Sequence, residues 1–390
     1  MTIDENIVKQ QLTDILSDLI AIPSVFPPGD TRDLCAYAAA RFEAAGFQTS
    51  VVTKSDPIAN VVARIGSGSP SIAFNVHIDT VGINNRNDWQ TDPFEATAKN
   101  SRLYGLGAAN CKGSAAVHIW LAEEIARHGG IRTGEIVFTL VGDEEDLGPN
   151  GTDYLRASGL IKPDILIVGA TTENQLITAE RGILWVRITA HGKAAHAGDP
   201  GSGDNAIERM IRLLSCLQSD VFAHLAKIEE DGMASTTNIG TIRGGQNMNV
   251  VPSDCTVEID RRLLPSEDFE ASYQKIERAL KNTGEPVDSY SLELLRGTNG
   301  FKGSENGDGV NAFRRVIQAR TGLEARFLTP VGAYDGRYFA GDGIEIINMG
   351  PGAGSEGHAS NESLPVTELL DAAMIQLSVI DDLVGLNDLS

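Results

Sequence analysis

A histidine and an aspartate two residues apart, His77 and Asp79, lie in a short segment that runs from Asn75 to Thr80. The segment follows an apolar run and leads into a loop, which predicts a buried strand with polar residues at its carboxyl end. Open α/β sheets place their functional sites at that end. On a strand the two side chains point to the same face, so the carboxylate can orient an imidazole that binds a metal. Taken alone, the pattern is more typical of a hydrogen-bonded core histidine, and further candidates in the chain shift that balance.

Three consecutive acidic residues, Asp143, Glu144 and Glu145, follow a second predicted strand over residues 135–141. Adjacent carboxylates repel one another, so a solvated acidic turn is one interpretation of the triplet. The functional interpretation separates their roles: one glutamate binds a metal, and its neighbour acts as a base toward a metal-bound water. A metal and a base together allow water to attack a carbonyl carbon near neutral pH. The triplet by itself leaves both interpretations open.

Two further histidines lie in loops. His358 ends a glycine-rich stretch that begins at Gly350. Such glycines indicate backbone that a ligand approaches closely, which favours a functional role over a merely exposed side chain. His196 follows Gly192-Lys-Ala-Ala, and a lone histidine there would ordinarily be structural.

Three arginines, Arg261, Arg262 and Arg337, are candidate anchors for a substrate carboxylate. A guanidinium can hold a carboxylate through two parallel hydrogen bonds. Because Arg261 and Arg262 are adjacent on a predicted strand, no more than one of them faces a given pocket. The other is expected to be a surface charge.

The charge balance of the 390-residue chain is strongly acidic, with 53 acidic and 32 basic residues and a formal charge of −21. This argues against nucleic acid or an anionic membrane as a partner, because both attract positive surfaces. The amino terminus lacks the features of a signal peptide, and no apolar run approaches the ~18 residues of a membrane span. The cysteines are scattered without metal-ligand spacing, which is typical of reduced thiols in a cytoplasm. We therefore expect a cytoplasmic protein.

The pattern of predicted elements indicates two domains, one inserted into the other. Residues 1–181 predict an α/β domain with a mostly parallel sheet, with strands at 60–65, 71–76, 135–141 and 164–168 and helices at 4–21, 31–46 and 112–128. Residues 182–295 alternate as antiparallel strands do and predict an inserted α+β domain, with strands near 183–190, 236–243 and 253–260 and helices near 204–219 and 267–282. The α/β pattern returns over residues 296–390, with helices near 309–321 and 366–384 and a strand at 344–349.

Together these segments resemble one family over essentially the whole chain: the zinc-dependent acetylornithine deacetylases, succinyl-diaminopimelate desuccinylases and glutamate carboxypeptidases. The matching segments are residues 76–80, 103–113, 142–145 with 151–152, 192–196, 245–252, 260–265 and 350–352 with His358. Each segment alone is weak, and their order and spacing make the resemblance specific. It implies a catalytic α/β domain interrupted by an α+β dimerisation domain, in agreement with the element pattern.

The resemblance also implies roles for the acidic residues and histidines. His77 is expected to bind a metal, with Asp79 as the partner that orients its ring. Glu144 is expected to be the general base and Glu145 a metal ligand. His358 corresponds to a ligand of the second metal.

His196 is expected to reach the site of the neighbouring subunit and to help stabilise the oxyanion, so the active enzyme is expected to be a homodimer. Substrate is expected to bind at four positions, with its carboxylate on the last arginine: Asn249, Arg262, Gly352 and Arg337. The resemblance does not identify the acyl group or the amino acid.

Two positions depart from the family pattern. Asn110 stands where the family has an aspartate that bridges two metals, and Ala170 stands where it has a glutamate or aspartate ligand. Alanine has no ligand atom, and a neutral amide cannot balance charge between two dications. We therefore expect one zinc per chain, or none, at a site left with four candidate ligands: His77, Asn110, Glu145 and His358.

Three functions remain open. The first is an amide-bond hydrolase for N-acyl amino acids or short peptides, with a single metal and Glu144 as base. The second is a metal-independent enzyme in which Glu144 and His196 do acid–base chemistry on an amino-acid-like substrate. The third is a non-catalytic binding protein. A binding protein needs no general base, so the joint presence of the site residues argues against the third.

Overall fold

The computed structural model describes residues 3–225, 227–330 and 332–387. The chain forms two compact units. The first contains the described residues up to Thr178, then Gly303–Leu328, and then the residues from Tyr334 onward. The second contains Ala179–Lys302 and the described residues of 329–333. The predicted domain boundaries at 181/182 and 295/296 stay predictions, and the units divide at 178/179 and 302/303.

The helices and strands alternate in the first unit and cluster by type in the second. Up to Thr178 they are α1 (Glu5–Ala21), α2 (Arg32–Ala44), β1 (Gln48–Ser55), β2 (Ile58–Gly66), β3 (Ser71–His77), β4 (Thr97–Lys99), β5 (Arg102–Tyr104), α3 (Gly113–Arg127), β6 (Glu135–Val141), α4 (Thr152–Ala157) and β7 (Ile165–Val168). The second unit contains β8 (Ala179–Glu180), β9 (Gly182–His191), α5 (Ala206–Leu217), α6 (Ala223–Leu225), β10 (Glu229–Glu230), β11 (Met233–Ala234), β12 (Thr236–Gly244), β13 (Asp254–Leu263), α7 (Phe269–Asn282), β14 (Tyr290–Thr298) and β15 (Phe301–Lys302). The first unit then resumes with α8 (Asp308–Thr321), β16 (Glu345–Asn348), β17 (Ser363–Pro365) and α9 (Val366–Val384).

The main sheet of the first unit has six strands in the order β1-β2-β6-β3-β7-β16. The last four of these are parallel, and β1 and β2 are joined by antiparallel pairing at one edge. Strands β3, β6 and β7 are buried along nearly their whole length, as expected for parallel strands covered on both faces. Their carboxyl ends lie at one edge of the sheet, which is where this topology places a site. The predicted fold class, a mostly parallel α/β domain with an inserted α+β domain, is confirmed.

The core of the first unit is built on aromatic and aliphatic contacts between helices and strands. Phe138 on β6 stacks on Phe42 of α2 with ring centroids 5.7 Å apart and lies 5.3 Å from Phe74 of β3. The long helix α3 is buried on almost every face, in keeping with its apolar and small residues. These contacts fix β3 and β6 side by side.

The second unit has an antiparallel sheet in the order β12-β13-β9-β14, with α5 and α7 contributing to one hydrophobic core. Alternate residues of β13 are buried, as expected when one sheet face is covered by helices. The buried stripe of α5 follows helical spacing, with Ala206, Met210, Leu213 and Leu217 facing the core. Strand β12 is at the edge of the sheet and is exposed along most of its length.

Two strands of these sheets were absent from the sequence-based prediction. β1 reads Gln-Thr-Ser-Val-Val-Thr-Lys-Ser and is mostly exposed, so it has no buried apolar run to reveal it. β14 is half-exposed at the edge of the second sheet. Edge strands need less hydrophobic sequence than central ones, which is why a hydrophobic pattern misses them.

His118 on α3 is a buried histidine without a hydrogen-bond partner for either ring nitrogen in the part of the chain that the structure describes. Its ring packs against Phe74 and Phe138 with centroids 5.6 and 5.8 Å away. Burial lowers the pKa of His118 to about 3. An unfolded histidine titrates near ~6.5. As the pH falls below that value, His118 therefore binds a proton in the unfolded chain but not in the folded chain.

We expect His118→Phe to lose less stability on acidification than the unsubstituted protein. The difference in the free energy of unfolding between pH 7 and pH 5 should shrink by about 2 kcal/mol, because each pH unit below ~6.5 costs about 1.4 kcal/mol. Urea unfolding at the two pH values measures this. His128→Gln, which removes a solvent-accessible histidine next to the same helix, is the control. An identical pH dependence in all three proteins would contradict the assignment.

Candidate active site

The carboxyl ends of β3 and β6 bring together a histidine and two glutamates. His77 is the last residue of β3 and is paired with Val141, the last residue of β6. Beyond them, His77, Glu144 and Glu145 each offer one ligand atom, and these three atoms lie within 4.8 Å of one another. Within the described residues this is the group of histidine and acidic side chains arranged closely enough to hold a metal ion. The two sequence segments predicted to form the site therefore meet.

Asp79 connects the two halves of this cluster. His77 Nδ1 lies 3.1 Å from the backbone oxygen and 3.5 Å from the carboxylate Oδ1 of Asp79. The other carboxylate oxygen accepts the backbone N–H of Glu145 at 3.0 Å. Asp79 is fully buried, and these contacts place it between the two halves of the cluster. The other ring nitrogen, Nε2, lies 3.8 Å from Glu144 Oε2.

The protonation of His77 and Glu144 reflects opposing effects. Burial lowers the pKa of His77, but Cys111, Glu144 and Asp79 favour the charged ring, and the net pKa is raised. Burial raises the pKa of Glu144 to about 8, although the positive charges of His77 and Arg337 oppose that rise. The raised pKa makes the carboxylate form of Glu144 a stronger base than an ordinary glutamate, and that deprotonated form is the one that can accept a proton.

Glu145, His358 and Asn110 form the other side of the cluster. His358 Nε2 lies 3.0 Å from Glu145 Oε1, and the contact raises the pKa of this half-exposed histidine. The amide Nδ2 of Asn110 donates to the same glutamate oxygen at 3.1 Å and lies 3.1 Å from His358 Nε2. Its Oδ1 accepts from the thiol of Cys111 at 3.0 Å. The amide thus joins the ligand candidates by hydrogen bonds.

Ala170 follows β7 at the same edge of the sheet and is fully buried. Its methyl group supplies no ligand. Residue 170 therefore has no donor atom for an ion, and the neutral amide of Asn110 carries no charge to balance a cation. The remaining nitrogen and oxygen donors suit zinc.

Two predicted substrate residues of the first unit are engaged by the protein. Arg337 is buried beside Glu144, with Nη1 3.7 Å from Glu144 Oε1. Gly352 has a φ of 90°, and its N–H donates to Glu368 Oε2 at 2.9 Å. A side chain at Gly352 would meet Ala109 and Leu364 at 3.1 and 3.2 Å, so this position requires glycine for conformation and for space.

The second unit brings two predicted residues close together on exposed loops. His196 and Val250 form an isolated β-bridge, and Ala197 N donates to the oxygen of Asn249. Arg262, also predicted to bind substrate, donates two hydrogen bonds of 2.9 Å to the carboxylate of Asp260, two residues before it. Arg261 is buried and bound to Glu267. The expectation that one of this pair is a surface charge is therefore wrong for Arg261, which faces the core instead.

The sequence did not reveal the residues that support the site. Glu362 is buried and accepts the backbone N–H groups of Gly107, Ala109 and Asn110, which fixes the turn that carries the amide. Burial raises the pKa of Glu362 to about 7. Its place four residues after His358 is visible in the sequence, but nothing in the spacing links it to Asn110.

The comparisons with known proteins agree with this geometry. Residues 178–288 match the family model described as a peptidase dimerisation domain. The succinyl-diaminopimelate desuccinylase of Bordetella petrii is 31% identical over 371 residues, which cover 91% of this chain and 93% of that protein. The chain belongs to the M20 peptidase family that includes this desuccinylase. The resemblance found in the sequence is confirmed, and the class of reaction is hydrolysis of amide bonds.

Solved structures show the same M20 fold. An M20 family metallo-carboxypeptidase from Sulfolobus solfataricus superposes with a TM-score of 0.82 at 17% identity, covering 95% of this chain and 98% of that one. A tripeptidase from Staphylococcus aureus superposes with a TM-score of 0.77 at 22% identity, covering 96% of this chain and 98% of that one. Among the described residues, no helix of this M20 peptidase combines the length and the apolar character needed to cross a bilayer.

Proposed function

We propose that this M20 peptidase hydrolyses the amide bond of N-acyl amino acids or short peptides at a site that holds one zinc ion. The observation that carries the proposal is the cluster of His77, Glu144 and Glu145, oriented by Asp79. The desuccinylase relative and the carboxypeptidase and tripeptidase of the same fold support the substrate class. We also propose a cytoplasmic location, which the scattered free cysteines support.

His77 and Glu145 would hold the ion, and His358, whose Nε2 lies 3.0 Å from Glu145 Oε1, is the candidate third ligand. A zinc ion held there would supply Lewis acidity toward the scissile carbonyl and would make a water molecule easier to deprotonate. Asp79 keeps the His77 ring turned so that Nε2 faces the cluster. Glu144 accepts the proton of the attacking water and delivers it to the nitrogen of the departing amine. Both proton transfers occur at the Glu144 carboxylate, which lies close to the ligands but is not itself required as a ligand.

A metal-independent reaction remains the second candidate. The hydrogen bonds of Asn110 to Glu145, His358 and Cys111 favour it, because they satisfy these polar groups without an ion. Metal analysis of protein purified without added metal separates the two candidates, together with hydrolysis of N-acetyl and N-succinyl amino acids in the presence of a chelator. Activity that is lost with chelator and restored by zinc supports the single-metal enzyme. Activity that survives in metal-free protein contradicts it.

Glu144→Gln should lower turnover at least about 100-fold, because a neutral amide cannot accept the proton of the attacking water. Zinc content should stay unchanged, since this residue is not needed as a ligand. Steady-state kinetics and elemental analysis on the same preparation measure both. Glu135→Gln, at the amino end of the strand β6 that leads into Glu144, is the matched control and should keep full activity. Substantial turnover by Glu144→Gln would remove this residue from the role of base.

Asn110→Asp combined with Ala170→Glu should raise bound zinc from about one to about two ions per chain, because it restores a bridging carboxylate and a further ligand. Elemental analysis after dialysis against zinc measures the stoichiometry. Since Ala170 is fully buried, the fold of the double variant is checked by thermal unfolding, and Asn110→Asp alone serves as the conservative comparison. An unchanged stoichiometry in a folded double variant would contradict the assigned roles of these positions.

We propose further that the enzyme is a homodimer in which the sheet of the second unit pairs with its copy along β12. An exposed edge strand offers unpaired N–H and C=O groups to another chain. Ile239 and Ile242 on this strand are 43% and 58% exposed, which supports an interface there. His196 on the same unit would then complete the site of the other copy.

Ile239→Lys combined with Ile242→Lys should convert the dimer to a monomer, because charged side chains on an edge strand oppose pairing. Sedimentation equilibrium should give the 41.6 kDa mass of one chain instead of twice that value. Activity should fall with the dimer, since each site would lack the second His196. Val287→Lys, which changes another exposed apolar residue of this unit, is the control. A double variant that stays dimeric would place the interface elsewhere.

A further inference from the structure

His358 lies in an exposed turn, and its imidazole Nε2 reaches Glu145 Oε1 at 3.0 Å. The backbone φ of His358 is 65°, in the left-handed region that a residue other than glycine occupies only at a cost. Such a conformation persists where surrounding contacts hold it. The direction of the His358 side chain therefore depends on what fixes residues 356–363, which we call the histidine turn.

The two ends of the histidine turn are anchored to β5. Arg102 on this strand donates to Glu356 Oε1 at 2.7 Å and to the hydroxyl of Ser363 at 2.8 Å. Its Nη2 also donates to the backbone oxygen of Ser363 at 3.1 Å. One guanidinium thus closes the turn at both ends, and its hydrogen bonds do not reach the middle of the turn, where His358 lies.

The middle of the histidine turn is held by residues 83–90, which we call the asparagine loop. Asn84 Nδ2 donates to the backbone oxygen of His358 at 3.2 Å. Asn361 Oδ1 accepts a backbone N–H of the asparagine loop, and its Nδ2 donates to a backbone oxygen of the same loop, each at 2.7 Å. Three hydrogen bonds therefore connect the asparagine loop to the histidine turn on either side of the imidazole.

The asparagine loop has internal contacts that give it a defined shape. Trp89 is 6% exposed, and its Nε1 donates to the backbone oxygen of Ile83 at 2.9 Å, which closes the loop on itself. The loop follows β3 within a few residues, so the segment that carries His77 continues into the segment that holds His358. The positions of these two candidate ligands are therefore linked through the chain.

We infer that Asn84 and Asn361 are positioning residues for His358: they hold the histidine turn in the conformation that directs its imidazole to Glu145. The inference rests on the proposed single-metal function with His358 as the third ligand. Without these hydrogen bonds the backbone of His358 would relax from its left-handed conformation, and the imidazole would move away from Glu145. Both asparagines act through the turn, and neither is a ligand.

The test measures zinc affinity by competition with a chromogenic chelator, a readout that does not depend on turnover. Asn84 and Asn361 both have a positive φ, 56° and 63°, so Asn84→Gly and Asn361→Gly remove the side chains in a residue that keeps this backbone conformation. Each variant should bind zinc about 10-fold more weakly, as is typical when a group that orients a metal ligand is lost. His358→Ala should weaken binding at least as much. Unchanged zinc affinity in the two asparagine variants would overturn the inference.

A double-mutant cycle separates the positioning of His358 from any other effect on the site. In the His358→Ala background, Asn84→Gly and Asn361→Gly should each change zinc affinity less than about twofold, because the ligand that they position is absent. A loss of about 10-fold that persists in this background would overturn the inference, since the asparagines would then act on zinc by another route.

Asn100→Gly is the matched control, because it makes the same substitution at another exposed asparagine with a positive φ, 52°, in the turn between β4 and β5. It should leave zinc affinity unchanged. Thermal unfolding of the metal-free proteins checks the fold. If a glycine variant fails to fold, Asn84→Asp and Asn361→Asp carry the test, because they keep the shape of the side chain and lose its N–H donor. Zinc affinity should then fall despite the added negative charge.

The unsubstituted protein distinguishes failure of this inference from failure of the proposed function. A protein that binds no zinc would overturn the single-metal function together with the inference. A protein that binds zinc, hydrolyses an amide and keeps its zinc affinity in both asparagine variants would overturn the inference alone.

Discussion

One carboxylate oxygen of Asp79 faces the imidazole of His77, and the other accepts the backbone N–H of Glu145. A single buried side chain therefore joins the two strand ends that carry the candidate site. This depends on the parallel register that sets His77 beside Val141. A slip of one residue in β3 would turn His77 to the opposite face of the sheet and separate it from both glutamates. Phe138 packs between Phe42 and Phe74, which stabilises the register of β3 and β6. The hydrophobic core and the site therefore depend on the same two strands.

The parts of the structure that follow from local sequence were predictable. Two pairs of site residues, His77 with Asp79 and Glu144 with Glu145, are close in sequence and follow apolar runs. Strand periodicity and the position of the strand ends therefore predicted that both pairs lie at one edge of a sheet. The inserted domain was visible because alternation with period two replaced buried runs after Gly182. The alternation of side chains along a strand also predicted that Arg261 and Arg262 point to opposite faces of the sheet. It did not predict that Arg261 is the buried one of the two or that Glu267 binds it.

The supporting residues could not be predicted, because their contacts join distant segments. Glu362 lies about 250 positions from the turn it holds, and Asp335 lies 260 positions from Asn75. Neither contact leaves a periodicity or a spacing in the sequence. The burial of Arg337 and the stacking of its guanidinium on the Tyr338 ring likewise leave no pattern in the sequence. Burial is a property of the folded chain, and for charged side chains it decides which partner is available.

Asn110, which the resemblance places where the family has a bridging carboxylate, makes contacts through both ends of its side-chain amide. The amide nitrogen donates to Glu145 Oε1 and lies 3.1 Å from His358 Nε2, and the amide oxygen accepts from the Cys111 thiol. Burial raises the pKa of that thiol, so the neutral donor form is favoured. An ion bound by Glu145 and His358 must compete with the amide for both side chains, whereas Nε2 of His77 has no such competitor on Asn110. A carboxylate at this position would attract a second cation, but the amide offers its N–H groups to the ligands and no negative charge to an ion. The neutral side chains of residues 110 and 111 thus support the proposal of a single metal, as does the lack of a donor atom on Ala170.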